Sequence, residues 1–372
     1  MSLCLEQIAS WLDIPCAQNR KITGISIDTR TLVPGDLFVA LKGTRVDGHA
    51  FIPDAIKQGA AAVLCVLPQG NLDIPVLLYP DLEQALILMA TAYRKTLTCR
   101  VIALTGSNGK TSVKTMLKAI LGDAAFVTPG NWNNHLGVPL SVLQVQSSHQ
   151  YAVFELGANH VGEIATTVAI VAPEVVCVNN IGPAHIGEFG SMDAIATAKG
   201  EIYAGLSSAG TAVVNLDDAY AHFWDDLIQD KHVLRFSNHD QAADIFARAI
   251  DLQHPAGLAF QMVSGDAVCD VVLQVRGAHH VSNALAAASM AKALGMGLDE
   301  IASGLGQFTG VSGRLTPKKT AVGALILDDT DNANLNSVLT GIEVLAGYSG
   351  KRGLALGDMQ HILKRKRGCL MH

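Results

Sequence analysis

From Cys99 onward one unit recurs: an apolar run without polar interruption, a glycine-bearing corner, and a segment at helical period. VIALTG leads into SVKTMLKAIL, YAVFELG into GEIATTVAIV, EVVCVNNIG into SMDAIATAKGEIYAGL, and TAVVNLDD closes the series. Strands covered on both faces read as continuous apolar runs, and parallel neighbours need a crossover, usually a helix, between them. The pattern specifies an α/β fold whose central parallel sheet carries helices on both faces. After Asp244 two further β-like segments, LAFQMV and AVCDVVLQV, precede a helix at NALAAASMAKALG.

A chain of 372 residues exceeds one ordinary core; at about 150 residues per domain, two or three are expected. Residues 1–80 alternate short apolar segments (21–27, 37–41, 61–67, 76–79) with turns and helical stretches, the pattern of a small α/β domain. Asp81 reads as the N-cap of a helix, LEQALILMATAYRK, that leads into a central domain over 81–313. Gly313-Arg314 marks the next boundary, and 314–372 offers strand ALIL, helix NSVLTGIEVLAG and strand LALG.

With 49% hydrophobic and 16% charged residues the chain has ample material for a core, which excludes a disordered protein. A net charge of −6 without a basic face, and 5% aromatics, argue against a nucleic-acid partner. The longest apolar run, 60–67, falls far short of the roughly 20 residues that cross a bilayer. MSLCLEQIAS lacks a basic leader region, so a soluble cytoplasmic protein is expected. The seven cysteines stand singly, without Cys-x-x-Cys spacing, and read as reduced thiols. KRKR at 364–367 reads as a solvated terminus.

The corner TGSNGKTS carries the chemistry. Gly106 and Gly109 permit positive φ, so the backbone N–H groups of the loop formed by Gly106, Ser107, Asn108 and Gly109, running on to Lys110, Thr111 and Ser112, converge on an anion at a helix N-terminus. Lys110 adds a point charge and the Thr111 hydroxyl suits Mg²⁺, the combination that binds ATP phosphates. A strand-to-helix corner with an incidental lysine is the bland alternative. Glu155 closes the strand YAVFE at the carboxyl edge of the sheet, where open α/β folds bind ligands; it suits Mg²⁺ or is simply solvated. The corner GNWNNHLGVPL, between helices, offers the amides Asn131, Asn133 and Asn134. His185, in GPAHIGEFG, is either a contact to metal or phosphate or a structural loop histidine. By composition alone Lys199 passes for a snorkelling surface lysine.

These motifs recur together in an order that resembles the ATP-dependent Mur ligases of peptidoglycan assembly. The resemblance starts at SIDTRTLVPGDLFVALKGTRVDGHAFI and runs through LTGSNGKTS, GNWNNHLGVPL, FELGANHVGEI, NNIGPAHIGEFGS, AKGEI, GAHHVSNALAA, VSGRL and LDDTDNAN to LGDM. It implies three domains: a UDP-substrate domain (1–80), a central P-loop-type ATP domain (81–313) and a Rossmann-like ligase domain (314–372). ELGANH followed by AKGE matches the branch that joins D-alanyl-D-alanine to UDP-N-acetylmuramoyl-tripeptide; sister ligases and folylpolyglutamate-type ligases are the neighbouring alternatives. A monomer is expected. Lys110 and Thr111 would take phosphates and Mg²⁺, Glu155 and His185 would serve the metal, and Lys199 would carry a carbamate and hold a second Mg²⁺. Ser26, Asp28 and Arg30 would lie near the uridine diphosphate, Asn134 near metal and substrate, Asn283 near adenine, and Arg314 and Asp329 where the last domain closes on ATP.

The chain departs from the family pattern at Asp331, where an aromatic residue is usual, at Leu335, usually proline, and at His280, usually asparagine. After LGDM the pattern stops and QHILKRKRGCLMH follows. That reads as a truncated or out-of-frame end, with the last domain incomplete and turnover impaired, leaving a nucleotide-binding remnant as the alternative to an active ligase.

Overall fold

The computed structural model describes residues 3–67, 70, 72–184 and 186–357; His185, the basic run at 364–367 and the rest of the chain beyond Gly357 lie outside the described residues.

A nine-stranded sheet forms the centre. In spatial order its strands are Ala267–Leu273, Leu258–Ser264, Ile245–Asp251, His232–Ser237, Thr211–Asn215, Val175–Val178, Arg100–Thr105, Tyr151–Glu155 and Ala125–Val127. Seven run parallel, and the hairpin formed by the first two joins them through an antiparallel pairing. Period-2 alternation assigns the faces. Val101 and Ala103 enter one core with the helices Leu82–Arg94, Glu163–Val171 and Met192–Ala204. Ile102 and Leu104 enter the other with Lys110–Leu121, His279–Ala293 and Leu298–Leu305. Each fully buried large aliphatic side chain contributes about 1.5–3 kcal/mol, and both layers are lined with them.

The chain leaves Arg100–Thr105 toward one side, returns through Tyr151–Glu155, and then crosses to Val175–Val178 on the other side. The carboxyl end of Arg100–Thr105 is therefore the topological switch point, where a crevice opens in sheets of this kind.

Residues 24–78 form a separate four-stranded parallel sheet of Gly24–Ser26, Asp36–Val39, Ala62–Cys65 and Val76–Leu78. The apolar segment 21–27 is not one strand. Lys21–Ile22 pairs with Leu3–Cys4, and only Gly24–Ser26 joins the sheet. Asp81 caps the helix Leu82–Arg94 as expected, its Oδ1 accepting from the Gln84 N–H at 3.0 Å. One continuous core joins this sheet to the central one, since Leu37, Val39 and Leu64 share a cluster with Leu86, Met89 and Val101.

Three expectations are corrected. The corner at 130–136 lies between a strand, Ala125–Val127, and the helix Gly137–Val142, not between helices; three residues are too few to show a period. The helix expected at NALAAA begins four residues earlier, at His279. LALG at 354–357 forms no strand: Leu354 and Leu356 are exposed, and strand geometry needs a partner to take its N–H and C=O groups. The last described region is instead a hairpin, Thr316–Lys319 with Leu325–Asp328, followed by the helix Leu335–Ala346, which buries none of its residues.

Candidate active site

Gly109 is the N-cap of the helix Lys110–Leu121, at φ 80°, and no side chain caps that terminus. Its backbone conformation is one that a side chain disfavours. A Cβ there would also sit 2.4 Å from Asn283 Oδ1 and 2.6 Å from Asn179 Nδ2, so torsion and space both require glycine. The first N–H groups of a helix have no intrahelical acceptor and carry the positive end of its dipole; here they belong to Lys110, Thr111 and Ser112, and they face the crevice. Such a terminus is an anion seat.

The loop is held from beneath by the turn after Val175–Val178. The N–H of Ser107 donates to the Asn180 carbonyl at 2.9 Å, and that of Asn108 to Asn180 Oδ1 at 2.8 Å. The side-chain amides of Asn179 and Asn180 donate to the Asn108 carbonyl at 2.9 and 3.0 Å. Ser107 Oγ donates to Gly182 O at 2.9 Å. From the last region, Asn334 Nδ2 donates to Asn108 Oδ1 at 2.7 Å while Asn334 Oδ1 caps its own helix through the Ser337 N–H. Lys110 curls back so that its Nζ donates to Gly106 O at 2.8 Å, and burial holds its ammonium below the usual lysine range.

Glu155 is buried at the end of its strand. Its Oε2 accepts from Thr111 Oγ1 at 3.1 Å and lies 3.1 Å from Lys114 Nζ; its Oε1 accepts from Asn133 Nδ2 at 2.9 Å. Burial drives the carboxyl upward, but Lys110, Lys114 and the Asn133 amide outweigh it, so Glu155 stays ionised below the usual carboxylate range. Lys199 is 5% exposed, not a surface lysine. Burial, with the Lys110 charge adding to it, brings its amine down to about 7.

The crevice is a cavity of about 1710 Å³ lined from all three regions. That exceeds the few hundred to about 1,000 Å³ of a common ligand site and has room for more than one ligand. Ser26 and Asp28 line it, as do Asn134, Asn283, Arg314 and Asp329. Arg30 does not: it is exposed and grips Asp28 through Nε at 3.0 Å and Nη2 at 2.6 Å. Asn134 Oδ1 accepts from the N–H groups of Leu136 and Gly137 and starts the following helix. Asn283 is buried against Gly109, its Oδ1 accepting from Asn179 Nδ2 at 3.0 Å. Arg314 pairs with Asp331 at 2.6 Å, and Asp329 accepts from the Leu315 N–H at 3.2 Å. Lys114, Asn179, Asn180 and Asn334 escaped the sequence reading. Lys114 alone left a signal, standing one helical turn after Lys110 on a helix whose other buried positions are mostly apolar.

The donor set suits Mg²⁺ of the nucleotide-bound kind, which takes one or two carboxylates and completes its shell with phosphate oxygens and water. Thr111 Oγ1 and Glu155 Oε2 are hard oxygen donors side by side, 3.1 Å apart. Among the described residues no cluster of three or more His, Cys, Asp or Glu exists that would hold a metal without such help.

Fold and site define a nucleotide-binding protein of the phosphate-loop class. Two family models match the sequence: the Mur ligase middle domain over residues 104–291 and the Mur ligase family catalytic domain over 21–93. A UDP-N-acetylmuramoyl-tripeptide–D-alanyl-D-alanine ligase of Escherichia coli is 42% identical over 94% of this chain and 77% of its own length. The crystal structure of MurF from Acinetobacter baumannii superposes with TM-score 0.87 at 37% identity, covering 95% of this chain and 78% of that one. MurF ligase from Thermotoga maritima, crystallised with ADP, gives TM-score 0.75 at 28% identity over 88% and 75%. This chain belongs to the Mur ligase family.

Proposed function

We propose that this chain is an ATP-dependent peptide ligase of peptidoglycan synthesis that joins D-alanyl-D-alanine to UDP-N-acetylmuramoyl-tripeptide. One observation carries the reading: Ser26 and Asp28, the phosphate loop with Glu155 and Lys199, and Arg314 with Asp329 line one continuous cavity. That arrangement serves a nucleotide-linked substrate, ATP and a closing third part. The relative that matches at 42% identity carries the name of this activity, not that of a ligase adding the preceding amino acid.

A carboxylate is a poor acyl donor because oxide does not leave. The terminal carboxylate of the tripeptide therefore takes the γ-phosphoryl group of ATP, giving an acyl phosphate and ADP. The helix N-terminus and Lys110 hold the phosphates in line, Lys110 leaving the Gly106 carbonyl to do so. Thr111 and Glu155, with His185 in support, would hold Mg²⁺, whose charge would neutralise the phosphates. The amine of the dipeptide then attacks the acyl carbon, and the tetrahedral oxyanion expels phosphate. Arg314 is the nearby cation for that charge, and closure of the 314–372 region excludes the water that would hydrolyse the acyl phosphate.

Residues 1–80, 81–313 and 314–372 are the substrate, ATP and closing domains of this scheme. Arg30 acts by fixing Asp28, Asn283 supports the nucleotide from beneath Gly109, and Lys199 as a carbamate would hold a second Mg²⁺. The enzyme works as a cytoplasmic monomer. ADP release in the presence of ATP and UDP-N-acetylmuramoyl-tripeptide is expected to rise many-fold on adding D-alanyl-D-alanine. A response to L-lysine, diaminopimelate or glutamate in its place would assign the chain to a sister activity.

A further inference from the structure

Lys114 has no part in the scheme above, yet it is 4% exposed and its Nζ is shared between two groups. It donates to the Gly130 carbonyl at 2.6 Å and lies 3.1 Å from Glu155 Oε2. The same Oε2 accepts from Thr111 Oγ1, and Oε1 is engaged by Asn133. A carboxylate oxygen offers two lone-pair directions, so both on Oε2 are taken. A cation arriving at Oε2 must displace a partner, and of the two it repels the ammonium. The helix Lys110–Leu121, Glu155, Asn133 and Gly130 thus form a closed ring with Lys114 as the link that carries charge.

We propose that Lys114 is a positioning residue that stands in for the metal: it neutralises Glu155 while no divalent ion is bound, competes with that ion for Oε2, and on metal binding passes to the Gly130 carbonyl alone. This rests on Glu155 being a metal ligand. Its consequence is that metal occupancy is transmitted to the 130–134 corner, which carries Asn133 and Asn134. The ring also makes metal binding weaker than the bare donor set would allow, so that the ion enters with the nucleotide, not before it.

The test is Mn²⁺ binding in the presence of ADP, read by the free-ion electron paramagnetic resonance signal without turnover. Lys114→Gln keeps a donor for Gly130 and removes the charge; it is expected to bind Mn²⁺ about tenfold more tightly than wild type, while Lys114→Arg stays within about twofold, since unpairing a buried carboxylate costs well over the 1.4 kcal/mol that makes a decade. Equal or weaker binding by a folded Lys114→Gln protein overturns the proposal, as does a tenfold gain in Lys114→Arg, which decides the matter alone if the glutamine variant does not fold. Absence of Mn²⁺ binding in every form, wild type included, removes the metal role of Glu155 itself and the proposal with it.

Discussion

A lysine amine reacts with CO2 only when uncharged, and Lys199 is placed to be so. Its burial, and the neighbouring Lys110 charge, bring the amine to about 7 from the ordinary lysine value of 10.5. A depressed lysine is deprotonated as pH rises through the folded value, so the reactive form grows between about pH 6 and 8. Carbamylation then exchanges a costly buried cation for an anion beside cations. In 13C-bicarbonate, wild type is expected to give a carbamate carbon signal that rises through pH 7 and is absent in Lys199→Arg; identical spectra would exclude the modification. None of this was visible in AKGEI by composition, where a lysine in a helix reads as solvated. Burial of Lys199 is set by the sheet and the helix packed against it, and only the family resemblance pointed there. Gly109, by contrast, was legible from the sequence: a glycine directly before a lysine, between an apolar strand and a helix, marks a left-handed corner that aims backbone N–H groups at an anion.

The helix His279–Ala293 shows how an element carries a cost from one position. His279 and His280 occupy its first turn with ring centroids 4.1 Å apart, and neither Nδ1 has a hydrogen-bond partner among the described residues. Burial holds His279 at about 4 and His280 well below the ordinary 6.5, so both are neutral in the fold. The unfolded chain takes up protons near 6.5 and the folded one does not, so stability is fully present above that pH and is lost as pH falls toward the folded values. The midpoint of thermal unfolding is expected to drop between pH 7.5 and 5, and to drop less in His280→Asn, which removes one of the two imidazoles; equal slopes would show that another group carries the acid sensitivity. Elements with long apolar runs were readable in advance because two buried faces leave no polar interruption. His232–Ser237 and Thr316–Lys319 were not: their residues are mostly exposed or half-exposed, and polar side chains break the pattern. Leu335–Ala346 was read as a helix, but its link to the phosphate loop through Asn334 depends on tertiary placement 226 residues away along the chain.

Across the whole molecule, the cavity exists because three regions meet at the switch point of the central sheet. The first brings Ser26 and Asp28, the second the phosphate loop, Glu155 and Lys199, and the third Arg314, Asp329 and Asp331. The order of these pieces was legible from motifs, while their convergence follows from sheet order, which no local pattern encodes. The scheme requires that the tripeptide carboxylate is phosphorylated before the amide forms, and oxygen tracing reads that step directly. With both oxygens of the terminal carboxylate labelled as 18O, one labelled oxygen is expected in each phosphate released, detected by its shift in the 31P spectrum. Unlabelled phosphate formed together with ligated product would contradict an acyl phosphate and the mechanism built on it.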